Sequence, residues 1–138
     1  MLGETMIRKG DRFLIDTHVL LWWFFNDSHL SKKAIKIIGD PDNTILVSSA
    51  SGWEISTKFR LGKLSGAENI VKDLPELLRK SRMSVLPIDL KHAILAGSFD
   101  NEHRDPFDRM LAAQAIIEGV ALLTSDKAFS SFSLKAIW

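Results

Sequence analysis

The sequence predicts an α/β fold: a mainly parallel central sheet of four to five strands flanked by helices, in a single domain over residues 1–138. Three observations predict it. Short apolar runs without polar alternation recur at 12–16, 44–49, 83–88 and 120–125, the pattern of strands covered on both faces. Longer stretches with helical spacing separate them, and strands alternating with helices favour parallel pairing. The 138 residues are 46% hydrophobic and 25% charged, the balance of one compact domain with its own core and not of a disordered chain. No internal repeat, low-complexity tract or linker divides it.

Each element has its own signal. "RFLID" (12–16) is apolar, ends in an acid and reads as a buried strand. "THVLLWWFFN" follows as a helix with Thr17 as its N-cap, and "SKKAIKIIGD" (31–40) as a second, capped by Ser31 and closed near Gly39 and Pro41. "TILVSS" (44–49) is apolar and β-branched, a second strand. A helix is expected from about Ser51 to Leu61, stopped by Gly62. "AENIVKDLPELLRKS" is helical with a kink at Pro75. "MSVLPI" (83–88) is the third strand, and "DLKHAILAGS" a helix begun by Asp89 and ended near Gly97. "DPFDRMLAAQAIIEG" carries the strongest helix signal, "VALLTS" (120–125) is the fourth strand, and "SLKAIW" offers a fifth.

Charge and composition narrow the function. A net charge of +1 excludes a strong basic footprint for non-specific nucleic-acid binding, though not a local basic patch. With no cysteine, disulfides and thiolate metal sites are impossible, which fits a reducing cytoplasm. Arg8, Lys9 and Arg12 precede "FLIDTHVLLWWFF" as in a targeting signal, but Asp16 and His18 break the apolar core and the run is too short for a bilayer. The expectation is a soluble cytoplasmic protein, no membrane, with residues 1–10 as a loose extension and Met6 as an alternative natural start.

The acids fall in a pattern. In open parallel sheets ligands bind beyond the carboxyl ends of the strands. Asp16 ends the first strand, Glu54 is expected on the first turn of the helix after the second, and Asp126 follows the fourth. The helix holding Asp105 and Asp108 leads into that fourth strand, so its start should lie on the same rim. Carboxylates gathered this way raise one another's pKa, and a divalent cation relieves the repulsion. Oxygen ligands without cysteine suit Mg²⁺ or Mn²⁺. Singly, each acid also has a plainer role. Asp16 can start a helix, Glu54 and Lys58 can form a solvated i, i+4 pair, Asp126 can make a turn, and Asp105 can cap a helix with Pro106 at its first position and Asp108 at its third. Only the shared rim argues for a joint role.

"FLIDTHVLLWW", "SGWEISTKFRLGKL", "HRDPFDRMLAAQA" and "LLTSDKAF" occur in an order and spacing that resemble a PIN-domain protein, most of all the VapC-type toxins of toxin–antitoxin pairs. The resemblance covers roughly 12–138. It implies a PIN-like three-layer fold and a Mg²⁺-dependent endoribonuclease that arrests translation and growth. It maps the family's acidic quartet onto Asp16, Glu54, Asp108 and Asp126, with Asp105 as the extra acid of the "DPFDR" form. Gly52 stands where a bulkier apolar residue is common, a departure expected to touch packing and not chemistry.

Asp16 and Asp108 are expected as direct ligands, and Glu54 and Asp126 as ligands directly or through water, or as groups orienting the nucleophile. Thr124 and Ser125 could bond these carboxylates, although turn formation ranks higher. Lys58, Arg104, Arg109 and Lys127 could meet phosphates but rank first as helix-face or capping charges. His18, His29, His92 and His103 lack metal-ligand spacing and read as surface or hydrogen-bonded structural residues. "LLWWFF" is mostly core, with some aromatic surface left for a second copy or an antitoxin. The implied partners are an RNA substrate, a cognate antitoxin and a homodimer mate. Other classes fit less well. A haloacid-dehalogenase-like phosphatase needs an acid where this chain has His18, and a receiver domain needs an acceptor where Asp89 follows a proline as a helix cap. A catalytically inactive PIN-fold binding module is the non-enzyme alternative, against which the intact quartet argues.

Overall fold

The structure is a computed structural model and describes residues 10–138. The extension expected for 1–10, and the alternative start at Met6, lie outside the described residues except for Gly10. In chain order the elements are β1 (Arg12–Ile15), α1 (Thr17–Phe25), α2 (Lys32–Gly39), β2 (Thr44–Ser48), α3 (Ser49–Arg60), α4 (Glu68–Lys80), β3 (Met83–Leu86), α5 (Leu90–Ser98), α6 (Pro106–Glu118), β4 (Ala121–Leu123), a 3₁₀ turn (Lys127–Ser131) and β5 (Ala136–Ile137).

The five strands form one sheet in the order β3-β2-β1-β4-β5, and every neighbouring pair is parallel. Successive side chains point to opposite sides, so the inner strands β1, β2 and β4 are buried on both faces, while the edge strand β3 leaves Ser84 and Val85 exposed. Phe13, Ile15, Ile45, Val47 and Leu123 face a core closed by α1, α2 and α4. Leu14, Leu46 and Leu122 face the other core, closed by Leu111, Ala112 and Ala115 of α6 and by Phe129 and Phe132. The result is the three-layer arrangement expected of the sequence. Among the described residues no helix is long and apolar enough to cross a membrane.

Ser31, Asp89 and Asp105 cap their helices as expected, and Gly62 and Gly119 leave α3 and α6 with φ of +76° and +65°, values glycine adopts without steric cost. Four details differ from expectation. Thr17 is the first residue inside α1 and not its cap; Asp16 holds the cap position, yet its carboxylate makes no capping bond. Helix α3 begins at Ser49, two residues before Ser51, because the Ser48 hydroxyl accepts from the Ala50 N–H and starts the helix earlier. Glu54 therefore sits in the second turn and not the first. The break in α4 falls at Asp73 (φ −113°, ψ 18°), two residues before Pro75; the proline ring presses on the preceding turn, so the distortion lies upstream. Gly52 of α3 lies against α4, where an added Cβ would meet Leu74 Cδ2 at 3.7 Å, an ordinary contact that fits a packing role.

Candidate active site

Strand order places the site. The chain steps from β1 to β2 on one side, and later crosses to β4 on the other side of β1. The carboxyl ends of β1 and β4 therefore flank the switch point, where open α/β sheets bind ligands. Asp16 follows β1, while Thr124 and Asp126 follow β4. Helices α3 and α6 pack against each other and bring Glu54 and Asp108 to the same rim.

Asp16 is 4% exposed. Its N–H donates to the Leu123 carbonyl at 3.0 Å, tying the end of β1 to β4. Its Oδ2 accepts from Thr124 Oγ1 at 2.8 Å. The same hydroxyl accepts the Asp126 N–H at 3.0 Å, so Thr124 bridges two acids. The turn role ranked first for Thr124 is thus accompanied by a direct bond to the Asp16 carboxylate. Burial pushes the Asp16 pKa up; the Thr124 bond and the His18 charge work against this, and the Glu54 and Asp126 charges reinforce it.

Glu54 is 3% exposed. Its Oε2 accepts from Lys58 Nζ at 2.5 Å, but its Oε1 is buried with no hydrogen-bond partner. This is not the solvated i, i+4 pair considered from the sequence. A buried carboxylate oxygen without a partner is costly, and a cation is one of the few groups that would satisfy it. Burial works against the Lys58 ammonium, yet the bond to Glu54 and the charges of Glu54, Asp105 and Asp108 hold its pKa above the usual lysine value.

Asp108 lies at the third position of α6. Its pKa is raised to about 6 by burial, opposed by a bond from His103 and supported by the charges of Asp105, Asp16 and Glu54. His103 Nε2 donates to Asp108 Oδ2 at 2.9 Å. The sequence indicated only a surface or structural role for His103; its partner emerges from the fold of the 99–105 loop. Asp105 is exposed, and its Oδ1 accepts from the N–H groups of Phe107 and Asp108 at 2.9 and 3.1 Å, so it caps α6. Asp126 is exposed and caps the 3₁₀ turn through Ala128 N–H at 2.9 Å.

The quartet thus converges on one rim, where its members perturb one another's ionisation, but as a loose gathering. Among the described residues, the trio of candidate ligand atoms lying within 4.8 Å of one another belongs to Asp89, His92 and Glu118. That trio is at the opposite end of α6, and both imidazole nitrogens are already engaged: Nδ1 accepts the Asp89 N–H at 3.0 Å and Nε2 bonds Glu118 Oε2 at 2.9 Å. It is a helix-capping box, and His92 is structural. The donor set of the rim is all carboxylate oxygen, one of them buried and unpartnered, and that set fits a hard divalent cation.

The candidate phosphate contacts separate. Arg109 is largely engaged within the protein: its guanidinium makes four hydrogen bonds, to the carbonyls of Ala96, Phe99 and His103 and to Asn101 Oδ1, and lies over the Phe99 ring. Arg104 and Lys127 are exposed beside the acids, as is Ser125. His29 is held by Asp27 and stacked on Trp22, and His18 is exposed beside Asp16.

Three comparisons bear on this arrangement. The PIN domain family model matches residues 13–134. Among curated proteins of Mycobacterium tuberculosis, Ribonuclease VapC16 is 41% identical over 56 residues, 41% of this chain and 40% of that protein. The match thus spans well under half the length of that relative. Ribonuclease VapC22 is 29% identical over 120 residues, 86% of this chain and 89% of that protein. Among solved structures, VapBC2 of Rickettsia felis bound to a promoter DNA fragment superposes with a TM-score of 0.68 at 19% identity, covering 91% of this chain and 97% of that one. FitAcB of Neisseria gonorrhoeae superposes with a TM-score of 0.59 at 18% identity, covering 91% and 96%. At these identities the structural likeness speaks for the fold.

Proposed function

The chain belongs to the PIN domain family, and from that premise we propose that it is a metal-dependent endoribonuclease that hydrolyses RNA phosphodiester bonds, as the toxin of a toxin–antitoxin pair. The observation that carries the chemistry is the buried, unpartnered Glu54 Oε1 on a rim shared with Asp16 and Asp108. The biological role is supported by relatives named as VapC ribonucleases.

In this reading Asp16 and Asp108 hold Mg²⁺ or Mn²⁺ directly, and Glu54 and Asp126 complete the site directly, through water or by orienting the nucleophile. Once bound, such a cation supplies Lewis acidity, acidifying water and offsetting charge on a phosphate. The chain does the rest. Thr124 fixes the plane of the Asp16 carboxylate, and Lys58 offsets the buried charge of Glu54. In this reading exposed Arg104 and Lys127 would meet RNA phosphates, whereas Arg109 would not, since most of its donors bond the protein. Asp105 is the cap and an extra acid beside the site.

One domain over residues 1–138 acts in the cytoplasm, with an antitoxin protein and a second copy of the chain as partners. The solved neighbours that are toxin–antitoxin complexes support the first. For the second, the "LLWWFF" helix is mostly core with some aromatic surface left, as expected: Trp22, Trp23 and Phe24 pack against the core, Trp22 also meets His29 and Trp138, and Phe25 is exposed. Apolar exposure is concentrated at the β3–α5 side, in Val85, Ile88, Leu90 and Ile94, with Trp53 62% exposed.

Expression in a bacterial host tests the role. The parent chain arrests growth, and Asp16→Asn, expressed to the same level, does not. Equal toxicity of the two would contradict the mechanism, and harmless expression of both would leave an inactive binding module as the better account.

A further inference from the structure

The residue left over by this account is His103, which lies five positions before Asp108 in the loop between α5 and α6. Its ring is held on several sides. It is stacked with Phe129 at a centroid distance of 6.4 Å and 28° between planes, and set edge-on to Phe132 at 5.4 Å and 71°. Both phenylalanines are buried, so the platform under the imidazole is part of the core. The His103 carbonyl accepts from the Arg109 guanidinium at 2.8 Å. Arg109 also binds the carbonyls of Ala96 and Phe99 and the side chain of Asn101. Asn101 in turn reaches Ser131 Oγ at 3.2 Å. The loop is thus pinned to α5, to α6 and to the 3₁₀ turn, with the imidazole set between the two phenylalanines and Asp108.

Its Nε2 lies 2.9 Å from Asp108 Oδ2. A carboxylate that accepts a fixed N–H donor through one oxygen loses its freedom to rotate, and its other oxygen is left to face the rim. Ligating carboxylates are commonly oriented in this way by neighbours that never touch the ion.

We propose that His103 is a positioning residue: held by the Arg109-pinned loop and the Phe129–Phe132 platform, it orients the Asp108 carboxylate so that Oδ1 is presented to a divalent cation. This rests on the reading of the rim as a cation site. It also gives Arg109 a role in the site at one remove, through the loop and not through the substrate.

The test is Mn²⁺ affinity, read from the free-ion electron paramagnetic resonance signal, together with melting of the metal-free protein. His103→Leu keeps the apolar platform filled but removes the donor. It should bind Mn²⁺ about ten- to a hundred-fold more weakly while melting near the parent temperature. His103→Gln carries an amide N–H at about the reach of Nε2 and should recover most of the affinity. His103→Asn carries the same amide on a shorter stem and should not, repeating the contrast if the leucine variant fails to fold. Parental affinity in His103→Leu, or equal affinity in His103→Gln and His103→Asn, would overturn the inference while leaving the cation site standing. No Mn²⁺ binding by the parent would overturn the cation site and the inference together.

Discussion

Thr124 and Asp16, 108 residues apart in sequence, are joined by a 2.8 Å hydrogen bond between neighbouring strand ends. The bond crosses the switch point of the sheet, and it exists because β1 and β4 are parallel neighbours with Ile15 opposite Leu123. A register shift of one residue would turn Thr124 to the other side and leave the Asp16 carboxylate buried without its donor.

Removing that hydroxyl should therefore be felt in both folding and function. Thr124→Val keeps the shape but leaves Asp16 Oδ2 and the Asp126 N–H without their partner. It should lower stability by about 1–3 kcal/mol and reduce cleavage, whereas Thr124→Ser should retain most of both. Urea denaturation and a cleavage assay on the two variants check this. A valine variant as stable and active as the parent would make the bridge incidental.

The Asp108 pKa of about 6 lies above the ordinary 3.8, so its effect on the metal-free fold has a definite sign. Folding raises the pKa, so the carboxyl favours the folded state fully below about 4, and that contribution is lost as pH rises through about 6. The stability of Asp108→Asn relative to the parent should thus grow between pH 4 and 6 and level off above. Binding of Mn²⁺ should weaken as pH falls through the same window, because the ligand must shed its proton. Melting curves of parent and variant across this range in EDTA decide the first point. A pH-independent difference would contradict it.

At Asp105 the prediction concerns stability before chemistry. Its carboxylate accepts two N–H groups in the first turn of α6. Asp105→Ala should cost about 0.5–2 kcal/mol and leave measurable cleavage, while Asp105→Asn should keep most of the stability. An alanine variant with parental stability and no activity would instead make Asp105 a site acid.

Arg109→Ala should leave several loop carbonyls without donors and destabilise the protein by more than about 2 kcal/mol. Its effect on RNA affinity should follow the loss of fold and not the loss of a phosphate contact. A well-folded variant with weakened, less salt-dependent RNA binding would restore Arg109 to the substrate interface.

The architecture was largely legible because it rests on local patterns: continuous apolar strands, and caps at Ser31, Asp89 and Asp105 that satisfy the first turns of their helices. The acids were legible as a rim from their places relative to the strands. What escaped were contacts between segments distant in sequence. A Thr124 bond to the rim carboxylates ranked below turn formation, because nothing local shows that the pairing of β1 with β4 brings this hydroxyl to Asp16. Glu54 and Lys58 looked like a solvated pair, because spacing gives the partner and not the burial. His103 and Arg109 sit in one short motif, yet their roles depend on Phe129, Phe132 and Ser131 from the far end of the chain.

The most direct test of the central claim is RNA cleavage by the purified protein, in parallel with Mg²⁺, with Mn²⁺ and with EDTA, beside Asp16→Asn under each condition. The account predicts cleavage by the parent with either cation, none in EDTA, recovery when cation is restored, and none by a folded Asp16→Asn at any cation concentration. Cleavage that persists in EDTA, or that survives in Asp16→Asn, would contradict it.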